Sequence, residues 1–334
     1  MAKKQQRELS WTFSRVWNDS LISVNNPSKA RDYIYASEIG GAFIDRFLKM
    51  KGVPFTNPAN DRSLRKFQAG NIWEWVVLYV LKRAGLLIET QRRIEHQYKG
   101  LLRVSGRQDF IAGGVPNYDE ALKYIDEMCL PEALDNAAKN VVSEFKKLYA
   151  DTPLKHIILE VKSASSFMFE KILSQNSAEI NHICQTFHYI KGTKINEGHI
   201  VYICKDDCRL FEHIITNERK YESIYKADIE KMTDYYNSDT QPPKEQMILF
   251  DEIGNRFYKN WRVEYSPYLT LIYGFETPED FRNATASKAM NFNRVLARCL
   301  NGDKMTDKNL DVISEATKLG FDWDKIVQHS KISI

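Results

Sequence analysis

The apolar stretch at residues 155–163, which reads Lys-His-Ile-Ile-Leu-Glu-Val-Lys-Ser, carries a carboxylate and an ammonium two residues apart. Its aliphatic and β-branched residues predict a buried strand. Because side chains alternate across a strand, Glu160 and Lys162 lie on one side of it, opposite the aliphatic residues next to them. A structural ion pair on a half-solvated strand and an acid–lysine pair with a chemical role are both compatible with this pattern.

A helical pattern covers residues 61–84 and ends at Gly85. Between Phe67 and Leu81 the only charged residue is Glu74. An isolated carboxylate on so apolar a helix is costly to desolvate, so we expect it to be paired or bound to a cation. The sequence leaves open whether Glu74 forms a buried ion pair or binds a metal.

Two further segments add polar residues to apolar elements. Residues 86–98 and 101–111 alternate as an antiparallel strand pair that turns at Lys99-Gly100, and Asp109 lies near the end of its second strand. Aspartate is a poor strand residue, so its position needs a reason. A helix predicted over residues 177–191 carries Gln185 and Tyr189, which share one face because they are four residues apart.

In chain order, a helix, two strands and a second helix carry Glu74, then Gly106-Arg107-Gln108-Asp109, then Glu160-Val161-Lys162, then Gln185 and Tyr189. This arrangement resembles the PD-(D/E)xK nuclease superfamily. It is most similar to the RecB-like branch, which includes phage exonucleases and CRISPR-associated RecB-like exonucleases. The resemblance covers residues 36–240, and four motifs in order are far more specific than any one of them.

The resemblance implies an α/β fold, a restriction-endonuclease-like core with a small mixed β-sheet flanked by helices, plus an α-helical C-terminal extension. It divides the chain into an N-terminal helical extension (residues 1–35), the nuclease core (36–240) and a mainly helical C-terminal extension (241–334). Residues 117–151 are acidic and helical, with eight Asp/Glu against four Lys, and form an insertion in the core.

The resemblance also implies a Mg²⁺ or Mn²⁺ site. Asp109 and Glu160 would be the principal metal ligands, with Glu74 completing the site from the helix and the Val161 carbonyl contributing. Such ions prefer oxygen ligands and make water nucleophilic near neutral pH. Lys162 would position the attacking water or stabilise the charge that develops on the phosphate.

The expected partner is DNA. Gln185 and Tyr189 would hold the DNA backbone near the metal. Arg107 lies in a basic segment, residues 62–107, where ten Lys/Arg face three Glu, and this segment would supply sequence-independent phosphate contacts. A recombinase, a single-strand annealing protein or a helicase is a possible protein partner.

Many RecB-like relatives carry an iron–sulfur cluster, but here Val263 and Ser266 stand at the cysteine places of the segment from Trp261 to Tyr268. We therefore expect no cluster, with apolar packing of Trp261, Tyr265 and Tyr268 taking over its structural role. The five cysteines form no CxxC pair and suit reduced thiols.

No run of 18 apolar residues and no signal-peptide pattern is present, so we expect a cytoplasmic protein of a bacterium or phage-infected host, without membrane contact. The predicted function is a metal-dependent deoxyribonuclease, an exonuclease of phage or mobile-element DNA recombination, repair or end processing. Two alternatives stay open, which are a catalytically inactive nuclease-fold protein that binds DNA or assembles with partners, and a site-specific endonuclease.

Overall fold

The computed structural model describes residues 20–21, 29–150, 152–252 and 254–332. These residues form two compact units, the first from residues 20–21, 30–41 and 59–240 and the second from residues 29, 42–58 and 241–332. Residues 8–26 mix aromatic and aliphatic residues with polar ones, which predicts an amphipathic helix in the N-terminal extension. Apart from residues 20–21, that helix lies outside the described residues. The predicted domain boundaries at residues 36 and 241 stay a prediction.

The first unit is built on a mixed sheet, which confirms the predicted α/β class. Its described strands are Leu87–Thr90 (β2), Phe110–Gly114 (β5), Leu154–Ala164 (β6), Glu197–Cys204 (β7) and Leu210–Thr216 (β8), and they lie side by side in that order. Strands β6 and β7 pair in parallel, while the other neighbours are antiparallel.

A smaller sheet in the same unit has the order β1-β4-β3, from strands Tyr33–Tyr35 (β1), Arg93–His96 (β3) and Arg103–Arg107 (β4). The predicted strand pair turning at Lys99-Gly100 is antiparallel as expected, but it is broken in the middle. The half farther from the turn joins the large sheet, and the half next to the turn joins the small sheet. The break falls at Gln91-Arg92 and Gln108-Asp109, and Gln91 has a φ of 55°.

Helices cover both faces of the large sheet. Helix α2 (Asp61–Arg83) packs its buried side on Phe110, Ala112 and Val161. Helix α6 (Ile180–Thr193) lies on the opposite face. It packs so closely on β7 that a Cβ atom added at Gly198 would be 2.5 Å from Thr186 Cγ2. The pairing partner of Gly198 is Ile158, so the Ile158–Glu160–Lys162 side of β6 faces α6.

Four further helices belong to the described part of the first unit. Helices α3 and α4 bury a separate apolar cluster around Tyr118, Ile125 and Val142, which is how the acidic segment near residues 117–151 folds. The bounds are Tyr118–Glu127 (α3), Glu132–Tyr149 (α4), Ser166–Gln175 (α5) and Arg219–Asn237 (α7).

The second unit is mainly helical, with a two-stranded antiparallel sheet that the sequence did not predict. Its largest core gathers around Phe257, which stacks on Trp323 with ring centroids 5.7 Å apart. The bounds are Phe43–Met50 (α1), Ile248–Asp251 (β9), Arg256–Lys259 (β10), Trp261–Glu264 (α8), Leu269–Tyr273 (α9), Pro278–Leu300 (α10), Asp307–Lys318 (α11) and Trp323–Ile332 (α12).

One helix expectation was wrong. The sequence of residues 36–48, with Ser37 as a cap residue, predicts a single helix, but the structure has a 3₁₀ turn, Ala36–Glu38, followed by a separate helix that begins at Phe43. Gly40 between them has a φ of 79°, a left-handed conformation that interrupts a helix.

The segment that resembles the iron–sulfur region packs differently from the prediction. Tyr268 is fully buried, but Trp261 and Tyr265 are 50% and 61% exposed, so they do not form the expected apolar packing. Val263 instead joins an apolar cluster with Leu269 and Phe281. The Ser266 hydroxyl donates a hydrogen bond of 2.8 Å to Asp45 Oδ1. The residues at the two cysteine places therefore have structural roles of their own, and the absence of a cluster stays a prediction.

None of the helices in the described part of the chain has the length and apolarity needed to cross a membrane.

Asp45 gives a pH-dependent prediction. Burial raises the pKa of Asp45 to about 6, against the Ser266 hydrogen bond and the Lys49 charge. Because this folded-state pKa exceeds the unfolded one, protonation of Asp45 stabilises the fold at low pH, and that stability is lost as pH rises through about 6. We expect Asp45→Asn to raise the free energy of unfolding by about 1–3 kcal/mol at pH 8.

The gain should fall to about half of its pH 8 value at pH 5, and it should approach zero only below about pH 4, where Asp45 is protonated in the unfolded chain as well. Urea denaturation at pH 8 and pH 5 measures it. Asp311→Asn, on the exposed side of α11, is the control and should change neither value. An equal effect of Asp45→Asn at both pH values would contradict the prediction.

Candidate active site

Strand β6 brings the predicted acid and lysine together. The Lys162 ammonium donates to Glu160 Oε1 at 2.5 Å, with the Glu160 side chain 1% and the Lys162 side chain 22% exposed. The other carboxylate oxygen, Oε2, is buried and has no hydrogen-bond partner among the described residues. One oxygen of Glu160 is thus neutralised by Lys162, while the second remains without a donor.

Asp109 lies between β4 and β5 rather than inside a strand. Its Oδ2 accepts a buried hydrogen bond of 2.8 Å from the Val161 N–H. The pairing of β5 with β6 ends at Phe110 and Leu159, so no β5 residue takes the Val161 N–H. The Asp109 side chain takes the place of that strand partner, which gives an aspartate at this position a structural role.

Glu74 reaches the site from helix α2, but its surroundings differ from the expectation. The helix is buried on one side only, and the next residue, Trp75, is 66% exposed. Glu74 itself is half-buried at the boundary. Its Oε2 accepts a hydrogen bond of 3.4 Å from Gln91 Nε2, which is a long contact.

Gln91 is a site residue that the sequence analysis missed. Its side chain contacts Glu74, and its backbone N–H donates to the Asp109 carbonyl at 3.1 Å. The Thr90 hydroxyl donates to the same carbonyl at 3.0 Å. The hairpin pattern gave only an approximate signal, because counting outward from a two-residue turn at Lys99-Gly100 places Gln91 opposite Gln108, whereas the observed register is shifted by one residue and brings it to Asp109.

All three carboxyl groups have a raised pKa, mainly because they are buried. Burial, followed by the Asp109 charge, raises the pKa of Glu74 to about 7 and that of Glu160 to about 8. Burial also raises the pKa of Asp109, against the Lys162 charge. Burial opposes the charge of Lys162, but the Glu160 and Asp109 carboxylates outweigh it and raise its pKa. The positive charge of the Lys162 ammonium therefore acts on all three carboxyl groups and partly offsets the rise in their pKa.

Gln185 and Tyr189 are brought together on helix α6, facing β4. Gln185 Nε2 donates to the Tyr189 hydroxyl at 3.1 Å, and that hydroxyl donates to the Arg107 carbonyl at 2.9 Å. A side chain at Gly106 would stand 2.8 Å from Tyr189 Cε1, so glycine is needed for this close approach. Tyr189 is 1% exposed, and the hydrogen bonds it forms hold the backbone just before Asp109.

The predicted DNA contacts of Gln185, Tyr189 and Arg107 stay predictions. Arg107 is exposed at the end of β4, and its guanidinium forms no ion pair with any described residue. The Val161 backbone has an observed role through its N–H, whereas metal binding by its carbonyl stays a prediction.

The donor chemistry of the site fits a divalent cation. Three carboxylates compete for one ammonium, and a buried oxygen of Glu160 lacks a donor, so a cation would relieve both conditions. Among the described residues, however, no group of three His, Cys, Asp or Glu side chains already stands in an arrangement that could hold a metal ion. Binding would require the carboxylates to turn towards a shared point.

Tyr189→Phe tests the contact between α6 and β4. The change removes one hydroxyl and with it the hydrogen bond from the Gln185 amide and the hydrogen bond to the Arg107 carbonyl. We expect the free energy of unfolding to fall by about 1–2 kcal/mol in urea denaturation. Tyr149→Phe is the control, because that side chain is at the exposed end of α4 and should have no effect. A neutral result for Tyr189→Phe would show that this hydrogen-bonded pair does not support the fold.

No protein-family model and no curated protein matches this chain. Among solved structures it is similar to a protein named SSO0001, with 14% identity and a TM-score of 0.46, over 80% of this chain and 98% of that one. It is also similar to LHK-Exo, an alkaline exonuclease from Laribacter hongkongensis solved in complex with dAMP, with 10% identity and a TM-score of 0.38, over 68% and 94%. A phage related exonuclease from Haemophilus somnus 129PT has 11% identity and a TM-score of 0.31, over 62% and 94%. Exonucleases are thus among the solved structures that this chain is similar to.

Proposed function

We propose that this protein is a metal-dependent deoxyribonuclease of the PD-(D/E)xK superfamily and its RecB-like branch, acting as an exonuclease in phage or mobile-element DNA processing. One observation carries the proposal. The Val161 N–H holds Asp109 beside the strand that presents Glu160 and Lys162, so two acids and a lysine meet at one point of the sheet. Glu74 completes the group from helix α2.

In this proposal Asp109, Glu160 and Glu74 hold Mg²⁺ or Mn²⁺. When bound, the ion would neutralise phosphate charge and make a water molecule nucleophilic near neutral pH. Divalent ions of this kind need only one or two protein carboxylates beside the phosphate of the substrate. Lys162 neutralises the three carboxylates only in part, and this supports a bound cation beside them.

Lys162 has a separate role in the proposal. Its ammonium is on the partly exposed side of Glu160, where it can donate a hydrogen bond to the attacking water or to a phosphate oxygen. It stabilises the extra negative charge that develops as water attacks phosphorus and the scissile P–O bond breaks. Arg107, two residues before Asp109, would orient the DNA backbone through a charge-assisted hydrogen bond.

Nuclease assays test the proposal directly. Wild-type protein should release label from end-labelled linear DNA in Mg²⁺ or Mn²⁺ and leave covalently closed circles intact. Glu160→Gln and Lys162→Ala should each lower the rate by at least about 10²-fold, because each removes a group that stabilises the transition state.

Glu144→Gln and Lys147→Ala serve as matched controls, since they alter an exposed Glu–Lys pair on α4. Both should keep the wild-type rate. Cleavage of circles would instead support the site-specific endonuclease. DNA binding without cleavage in any metal would support the inactive binding protein.

Metal binding can be measured without activity. A ligand that binds only the folded state stabilises it by about 2.7 kcal/mol at a hundred times its Kd. We expect Mn²⁺ to raise the Tm of the wild-type protein and to have a much smaller effect on Glu160→Gln and Asp109→Asn. Calorimetric titration of Mn²⁺ into the same proteins provides a second measurement. Equal Tm shifts in all three proteins would place any metal elsewhere.

A further inference from the structure

One face of the small sheet combines arginines with tyrosines. The pairing register aligns Tyr33 with Arg103 and Arg93 with Arg107, and paired residues point to the same side of a sheet. The opposite side is the core side, where the neighbouring aliphatic residues are fully buried, namely Ile34, Ile94 and Val104. We call the outward side the arginine–tyrosine face, formed by Arg31, Tyr33, Tyr35, Arg93, Arg103 and Arg107.

The face carries an excess of positive charge. Three of its four arginines pair with two acidic residues, Glu38 and Glu95, and Arg107 has no ion pair with a described residue. Arg103 pairs with Glu95 at 2.9 Å, while Arg93 is 4.0 Å from the same residue and donates to the Ser105 hydroxyl. The Arg93 side chain is 62% exposed and that of Arg103 is 41% exposed. Such partly paired, exposed guanidinium groups suit phosphate contacts.

The two tyrosine rings are held in fixed positions. They meet edge to face with centroids 5.2 Å apart, and their hydroxyls are 3.0 Å apart. The Arg31 guanidinium lies 4.1 Å from the centroid of the Tyr35 ring, and Arg103 lies 5.3 Å from that of Tyr33. Tyr35 remains 40% exposed, so a preorganised ring is available at the surface. Exposed aromatic rings among arginines are the elements of a base-stacking platform.

The face leads into the candidate active site. Strand β4 runs from Arg103 to Arg107, and Asp109 follows two residues later. The Arg107 carbonyl is held by Tyr189, which fixes this end of the strand. A polyanion that follows the arginines along β4 would therefore arrive at the three carboxylates.

We propose that the arginine–tyrosine face binds single-stranded DNA, with Arg93, Arg103 and Arg107 on the phosphates and Tyr35 stacked on a base. This inference rests on the proposed nuclease function for its choice of DNA. A single strand fits better than a duplex, because stacking on a side chain needs a base that is free of its own neighbours. The charge excess provides the complementarity for the phosphates.

Fluorescence anisotropy with labelled oligo(dT) and with a duplex of equal length, both in EDTA to prevent cleavage, tests the proposal. Each lost phosphate contact lowers the slope of log Kobs against log[NaCl] by about 0.7 for single strands. The double variant Arg93→Ala/Arg103→Ala should therefore reduce this slope by about 1.4. Tyr35→Leu should weaken oligo(dT) binding by about 5- to 100-fold and leave duplex binding unchanged.

Arg209→Ala is the control, because Arg209 is 46% exposed and lies outside the face, where it pairs with Glu170. Circular dichroism and urea denaturation check that each variant folds. Wild-type slope and affinity in both face variants would overturn the inference, as would an equal loss of single-strand and duplex binding in Tyr35→Leu.

The result is independent of the outcome for catalysis. If the protein cuts DNA but its binding is insensitive to these variants, the inference fails and the nuclease function stands. If the face variants lose single-strand binding in a protein that cuts nothing, the inference stands and the nuclease function fails. Binding of an acidic protein in place of DNA would overturn the inference.

Discussion

The hydrogen bond from the Val161 N–H to Asp109 Oδ2 is the interaction on which the rest of the site depends. A buried N–H without a partner is costly, and strand β5 has already ended where Val161 needs an acceptor. The carboxylate satisfies that group and is itself fixed beside Glu160. The same contact explains why the hairpin breaks at Asp109 and divides between two sheets.

Bringing several carboxyl groups together in a buried site costs free energy, which the surrounding structure offsets. Burial raises the pKa values of Glu74, Asp109 and Glu160, and the Asp109 charge raises those of Glu74 and Glu160 further, with Lys162 as the nearby cation. Gln91 adds neutral hydrogen bonds from a left-handed backbone conformation, which costs about 1 kcal/mol or more for a residue other than glycine. Strain and repulsion of this kind collect at functional sites because the rest of the fold can support them.

The small sheet and the large sheet have different roles around the hydrogen bond between Val161 and Asp109. The large sheet, covered by helices on both faces, fixes Glu160 and Lys162 in a rigid strand. The small sheet keeps one face outward, and its arginines and tyrosines lead along β4 to Asp109. The packing of Tyr189 against Gly106 connects the two sheets, because helix α6 contacts both β7 of the large sheet and the end of β4 in the small sheet.

The sequence by itself determined the elements and the identity of the candidate residues, since periodicity and alternation are local properties. The β6 strand, helix α2, the antiparallel hairpin and the face shared by Gln185 and Tyr189 all follow from spacing alone. Only the tertiary structure decided the half-exposed surroundings of Glu74, the break at Gln91 and Asp109, the solvent-facing Trp261 and Tyr265, and the two-stranded sheet near Phe257. Those features depend on which surfaces other segments cover, and a residue's own neighbours in sequence carry no information about that.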